Sequence, residues 1–175
     1  MANVGTLGRN MARTRNGTAL SVVYVPEAAS QSFKAGDFVN LSSGKAQAIV
    51  AAGNNLGSGD KIFGRAMQDA TGTTDNIIQV LLVTPDTEFL LPIYHGTVAS
   101  AVAAAGQLGT AYELRNDSSL GYCVAIDATS NTKVAVTNFY EPALASSSGT
   151  RRTFSGETNG LIWVSVLAAQ KQVAV

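Results

Sequence analysis

The chain reads as a mainly β protein: an antiparallel β-barrel or sandwich with one short alanine-rich helix and an extended N-terminal arm. Three observations predict this. Short apolar runs with β-branched and aromatic residues recur between clusters of Gly, Asn, Asp and Ser, the pattern of half-buried strands joined by turns. One such unit occurs twice: Ala66-Met67-Gln68-Asp69-Ala70-Thr71 leads into Gln79-Val80-Leu81, and Ala125-Ile126-Asp127-Ala128-Thr129 leads into Lys133-Val134-Ala135-Val136. Each copy reads as strand, Asp-Ala-Thr turn and returning strand, so a duplicated hairpin is expected over residues 62–83 and 121–139. Finally, 175 residues at 18.1 kDa suffice for one well-buried core.

The elements follow in order. Residues 1–19 form the arm: Gly5, Gly8 and Gly17 interrupt it, and Arg9, Arg13 and Arg15 stand there without an acidic neighbour. Too poor in apolar residues to fold alone, it is expected to become ordered against a neighbouring subunit, its arginines pairing with carboxylates there. Residues 20–175 are expected to form a single β-rich domain. Leu20–Val25 reads as a strand ended by Pro26, and Asp37–Leu41 turns through Ser42-Ser43-Gly44 into Lys45–Ile49. Gly53–Asp60 is a loop, after which Ile62–Met67 and Ile77–Thr84 make the first copy of the repeat. Glu88–Ile93 is a further strand whose Pro92 cannot donate to a ladder, which suggests an edge or a strand end. Thr97 can cap a short helix over Val98–Ala105 that Gly106 stops. Ala111–Leu114, Gly121–Ile126 and Lys133–Phe139 resume the strand pattern. Pro142–Gly156 is a loop carrying Arg151 and Arg152, and Leu161–Leu167 closes the fold with the sole tryptophan, Trp163, in the core or at a self-interface.

Composition narrows the function classes. Twelve Lys and Arg balance twelve Asp and Glu, and only 14% of residues are charged, well below the roughly 25% of an average soluble protein. Such a surface suits permanent contact with copies of itself or with a partner. Zero net charge and one exposed basic pair, Arg151-Arg152, without an aromatic platform or basic helix, argue against direct nucleic-acid binding. No apolar run approaches the roughly 20 residues of a membrane span, and residues 1–20 lack a signal-peptide core, so assembly in a cytoplasm is expected.

No catalytic or cofactor signature is legible. Cys123 lies in a strand pattern and reads as an inert core thiol, and His95 has no recognisable partner motif, so nucleophile and base are not paired. One Cys and one His cannot supply the four ligands of a structural zinc site. Gly53–Asp60 lacks the Gly-Lys-Ser/Thr of a phosphate loop, and Asp69, Asp75 and Asp86 lack calcium-loop spacing. Neither cofactor nor metal is expected.

At Phe33-Lys34-Ala35-Gly36-Asp37-Phe38-Val39, Gly64-Arg65-Ala66, Thr87-Glu88-Phe89 and Ala104–Leu114 the chain resembles the small β-rich decoration, or cement, proteins of tailed-bacteriophage heads, over roughly residues 33–139. The resemblance implies a virion protein on the capsid exterior that clamps neighbouring major capsid proteins, as a homotrimer or homodimer. Under that reading Arg9, Met11, Arg13 and Arg15 contact the capsid, and Arg151, Arg152 and Trp163 serve capsid or subunit contacts. The segment 142–175 departs from the size of the best-known cement proteins. Rival readings are a tail or head-to-tail connector component and a glycan-binding β-module. An enzyme is the third class.

Overall fold

The computed structural model describes residues 11–50, 53–140 and 160–172. Its strands are β1 (Ala12–Thr14), β2 (Val22–Pro26), β3 (Phe38–Ser42), β4 (Lys45–Ala48), β5 (Asn54–Asn55), β6 (Gly64–Ala66), β7 (Ile77–Leu82), β8 (Thr87–Tyr94), β9 (Ala111–Asp117), β10 (Gly121–Ala125), β11 (Val134–Phe139) and β12 (Leu161–Val166). They form two sheets. The larger runs β1-β8-β10-β9-β11-β12 and closes on itself because β12 also pairs with β8, giving a barrel of β8, β10, β9, β11 and β12. Closure leaves no free edge among these five. The smaller sheet, β2-β7-β6-β3-β4, is antiparallel and curls until Glu27 bridges back to Ala46.

The mainly β expectation holds, with three corrections. The barrel is mixed rather than purely antiparallel, because β10 runs parallel to β8. The second copy of the repeat is not a hairpin: β9 lies between β10 and β11, so these two never pair, whereas β6 and β7 of the first copy do. The two copies share a turn sequence, but which strands pair is decided by neighbours far along the chain. In the first copy Asp69 accepts the Ala35 N–H at 2.8 Å, and the Thr71 N–H donates to Glu27. In the second, Asp127 instead accepts the Gly96 N–H at 2.7 Å.

The third correction concerns the alanine-rich helix, which does not form. Val98–Ser100 and Ala105–Gln107 are single 3₁₀ turns, Thr97 makes no side-chain cap, and Ala104 is extended. A segment this short is below the length at which propensity sustains a helix. Tertiary burial wins: Ala101 and Ala103 enter the large core while Val102 between them does not, an alternation of period two. Gln107 locks the crossing by accepting the Ala104 N–H and donating to the Val102 carbonyl.

Pro92 sits in the middle of the barrel rather than at an edge. The Ile93 N–H donates to Gly160 and the Leu90 N–H to Met11, so residues 89, 91 and 93 face β12 and the Pro92 nitrogen faces the other side. On that side β8 changes partner from β1, which ends opposite Phe89, to β10, which begins opposite Ile93. The ring occupies the gap in the ladder, where no N–H is required.

Among the described residues two large apolar cores result, with a smaller cluster of Leu90, Leu161 and Trp163 outside the barrel. The barrel encloses Phe89, Leu91, Ile93, Leu114, Val124, Ile162 and Val164, and the small sheet wraps Phe33, Val39, Phe63, Ile78 and Val80. Phe38 joins them: it belongs to the small sheet, yet its ring is fully buried in the barrel core, edge-on to Phe89 at 5.0 Å and to Tyr122 at 5.2 Å. Gly64 permits β6 to approach β7, since a Cβ there would come within 2.5 Å of the Leu81 carbonyl oxygen.

Candidate functional site

The four arm and anchor residues that the structure describes converge. β1 pairs antiparallel with β8 so that Arg13 stands opposite Glu88, and β12 places Ser165 on the other flank of the same residue. Glu88 is only 2% exposed, and its two oxygens receive Arg13 Nε at 2.8 Å and Arg15 Nε at 3.3 Å. Arg15 also donates through its backbone to Asp86 and through its side chain to Pro85. The Arg13 guanidinium then reaches across β8 and lies 4.1 Å from the centre of the Trp163 ring, a cation–π contact between strands on either side of β8. Met11 packs on the same patch, with Leu90, Leu161, Trp163 and Tyr140.

The carboxylate that the arginines were expected to find on a neighbour is therefore supplied, for Arg13 and Arg15, by Glu88 of the same chain. Trp163 is a packed residue on the outside of the barrel, 7% exposed beneath Arg13. Arg9, Arg151 and Arg152 lie outside the described residues. With both arginines nearly half exposed, the ion pairs contribute modestly. E88Q is expected to cost about 1 kcal/mol and to speed tryptic cleavage after Arg13 and Arg15 about fivefold, read by mass spectrometry of a limited digest.

Besides Arg65, whose Nε donates to the Gly36 carbonyl at 2.6 Å, three further buried charges tie the fold together, and the sequence reading missed them. Glu27, fully buried, accepts from the Thr71 N–H and hydroxyl and from the Gly72 N–H at 2.6 Å. Glu113 accepts from the Ser130 and Asn131 N–H groups and from the Asn55 side chain. Lys133 donates to the Ser58 and Asp60 carbonyls and to the Gln170 side chain. Glu27 and Glu113 hold loops, and Lys133 holds both a loop and the C-terminal turn.

Cys123 is fully buried, and burial, reinforced by Asp117, pushes its thiol up to about 12. It is protonated and inert at neutral pH. Because the folded state holds this proton more tightly than the unfolded chain, the stabilisation is complete below the ordinary thiol range near 8.5 and is lost as pH climbs toward about 12. Denaturant melts between pH 8 and 11 are expected to lose stability less steeply in C123A than in the native chain. The His95 Nδ1 accepts the Thr97 N–H at 2.9 Å and serves its own turn. Among the described residues no group of three or more His, Cys, Asp or Glu gathers in metal-binding fashion, and no helix is long and apolar enough to cross a membrane.

What the surface offers is an apolar strip. Leu20, Val22, Tyr24, Met67 and Ile77 are all more than a third exposed and lie on the outer side of β2, β7 and the end of β6. A groove of about 270 Å³ runs beside them, with Leu20, Val22, Met67 and Leu81 on its walls and buried Arg65 among its lining. A second, more polar cleft of about 450 Å³ lies between Phe33–Asp37 and the Asn116–Ser118 turn.

Fold and site together define a mainly β protein with a closed mixed barrel, a curled antiparallel sheet and an apolar strip. The chain matches no protein-family model, no curated protein and no solved structure.

Proposed function

We propose that this chain is a structural virion protein that binds the outer surface of a tailed-phage capsid and stabilises contacts between major capsid proteins. The observation that carries this reading is the apolar strip around Met67 and Ile77, set on a body of which only 14% of residues are charged. Exposed apolar area of this kind is costly in a free monomer and useful in a permanent assembly. The closed barrel supplies rigidity, and many copies on one shell supply avidity, so modest contacts per copy suffice. Arg13 and Arg15 already serve Glu88, so the arm's capsid contact falls to Arg9 and the residues before Met11.

The test is co-sedimentation with capsids that lack a decoration protein. The comparison is among the full chain, a chain beginning at Met11 and M67K, since a cut at Leu20 would remove β1 and uncover Trp163. Saturable binding by the full chain, weakened at least tenfold in either variant, supports the reading. Absence of binding by the full chain overturns it, and a ring-sized mass in solution would favour a connector.

A further inference from the structure

We infer that the free edge of β2 seats a second copy of this chain, the two β2 strands pairing antiparallel about a two-fold axis at Val23. The inference does not depend on the capsid reading. Among the described strands β2 pairs with β7 alone. The Leu82 N–H donates to Ser21 and the Glu27 N–H to Asn76, which fixes the phase of the ladder: residues 21, 23, 25 and 27 bond to β7. Val22 and Tyr24 therefore direct their N–H and C=O groups to the open side. On that side β4 reaches β2 only at its end, where Glu27 bridges Ala46 in parallel. Counting back from that bridge, Pro26 and Val25 stand level with Lys45 and Gly44, Tyr24 is level with Ser43 at the tip of the turn that begins β4, and Val22 lies past it.

Exposed edges normally carry a lysine, a bulge or a covering loop that prevents pairing with another chain. This one carries no charge at all: from Asn16 to Pro26 there is no acidic or basic residue. In a two-fold register centred on Val23, Val22 stands opposite Tyr24 of the second copy and the reverse. The two pairs exchange about four N–H···O bonds, which uses the groups left open at those positions. Their side chains, 42% and 67% exposed, then form aromatic–β-branched cross-strand pairs. The next position outward, Pro26, has no N–H, so the ladder ends there and the register cannot slide in that direction. Absence of charge matters because a two-fold brings every residue near its own copy, where like charges would repel. Such pairing closes at two chains, and it leaves Met67, on the far side of β7, for another partner, although Val22 serves both the seam and the wall of the groove beside Met67.

Sedimentation equilibrium of the full chain tests this directly. The expected mass is twice 18.1 kDa. V22K/Y24K, at two exposed positions, is expected to sediment as a monomer with an unchanged far-UV circular-dichroism spectrum, dimerisation being weakened at least tenfold. V22K/Y24E is expected to dimerise again, because only this register sets the V22K ammonium of one copy against the Y24E carboxylate of the other. A monomeric or trimeric native chain, a dimer that survives V22K/Y24K, or a V22K/Y24E chain that stays monomeric overturns the inference. A native monomer that still saturates capsids would overturn this interface and leave the proposed function standing; a dimer that ignores capsids would do the reverse.

Discussion

F38A is expected to lower stability by about 4 kcal/mol, a fall in Tm on the order of 10 °C for a chain of this size. The ring is fully buried, lies edge-on between Phe89 and Tyr122, and has the buried Arg65 guanidinium 5.6 Å from its centre. Truncation therefore removes transfer free energy, leaves a cavity in a closed barrel whose hydrogen-bonded wall cannot collapse, and strips an aromatic neighbour from a buried cation. Position adds to this. The backbone of Phe38 pairs with Arg65 in the small sheet while its side chain fills the barrel, and the Tyr122 hydroxyl donates back to the Phe38 carbonyl at 3.3 Å. Amide exchange should accordingly speed up in both sheets of F38A. Loss of protection confined to the barrel would show that the two cores unfold separately and that Phe38 is not their link.

K133M is expected to cost about 3 kcal/mol, although it replaces a long side chain by one that fits the same space. The ammonium of Lys133 receives no solvent and satisfies three oxygens: the carbonyls of Ser58 and Asp60, the latter at 2.8 Å, and Oε1 of Gln170 at 3.0 Å. Without a donor these are left largely unpaired, and the loop 57–60 and the turn 168–170 lose their common anchor. Burial also holds the Lys133 ammonium below the ordinary lysine range, Asp60 opposing the shift. The unfolded chain thus binds the proton more tightly, so native stability rises as pH climbs from the lowered value to the ordinary one near 10.4. Chemical denaturation at a series of pH values should show the gap between the native chain and K133M widening across that window. A gap that is flat with pH, or a cost below about 1 kcal/mol, would mean that water reaches Lys133.

Much of the chain's local structure was written in its local pattern. Short apolar and β-branched runs bounded by turn residues located Val22–Pro26, Phe38–Ser42, Lys45–Ala48, Ile77–Leu82, Thr87–Tyr94, Gly121–Ala125, Val134–Phe139 and Leu161–Val166 to within a few residues, because buried strands and the turns between them draw on different residue types. The Ser43-Gly44 hairpin turn was legible for the same reason: both residues need positive φ, 50° and 75°, which Gly takes without cost. The inert character of Cys123 followed from its apolar strand setting.

Tertiary structure decided everything that depends on a distant partner. Val98–Ala105 looked helical because alanine is permissive, and it became two turns and an extended crossing because the barrel core needed Ala101 and Ala103. Asp127-Ala128-Thr129 looked like the turn of a hairpin, yet β9 inserted between the two strands it joins. The candidate site divides in the same way. Arginines in the arm were visible as unpaired charges, but Glu88 lies 75 residues beyond Arg13, and nothing local marks it as their carboxylate. Lys133 is likewise 73 residues from Asp60. Composition alone determined that this is a charge-poor chain, with 14% of its residues charged and no net charge. Which apolar residues remain outside, on the face that Leu20, Val22 and Tyr24 share with Met67 and Ile77, is set by which strands found each other, because an alternating strand has two faces and only its neighbours choose the one that is buried.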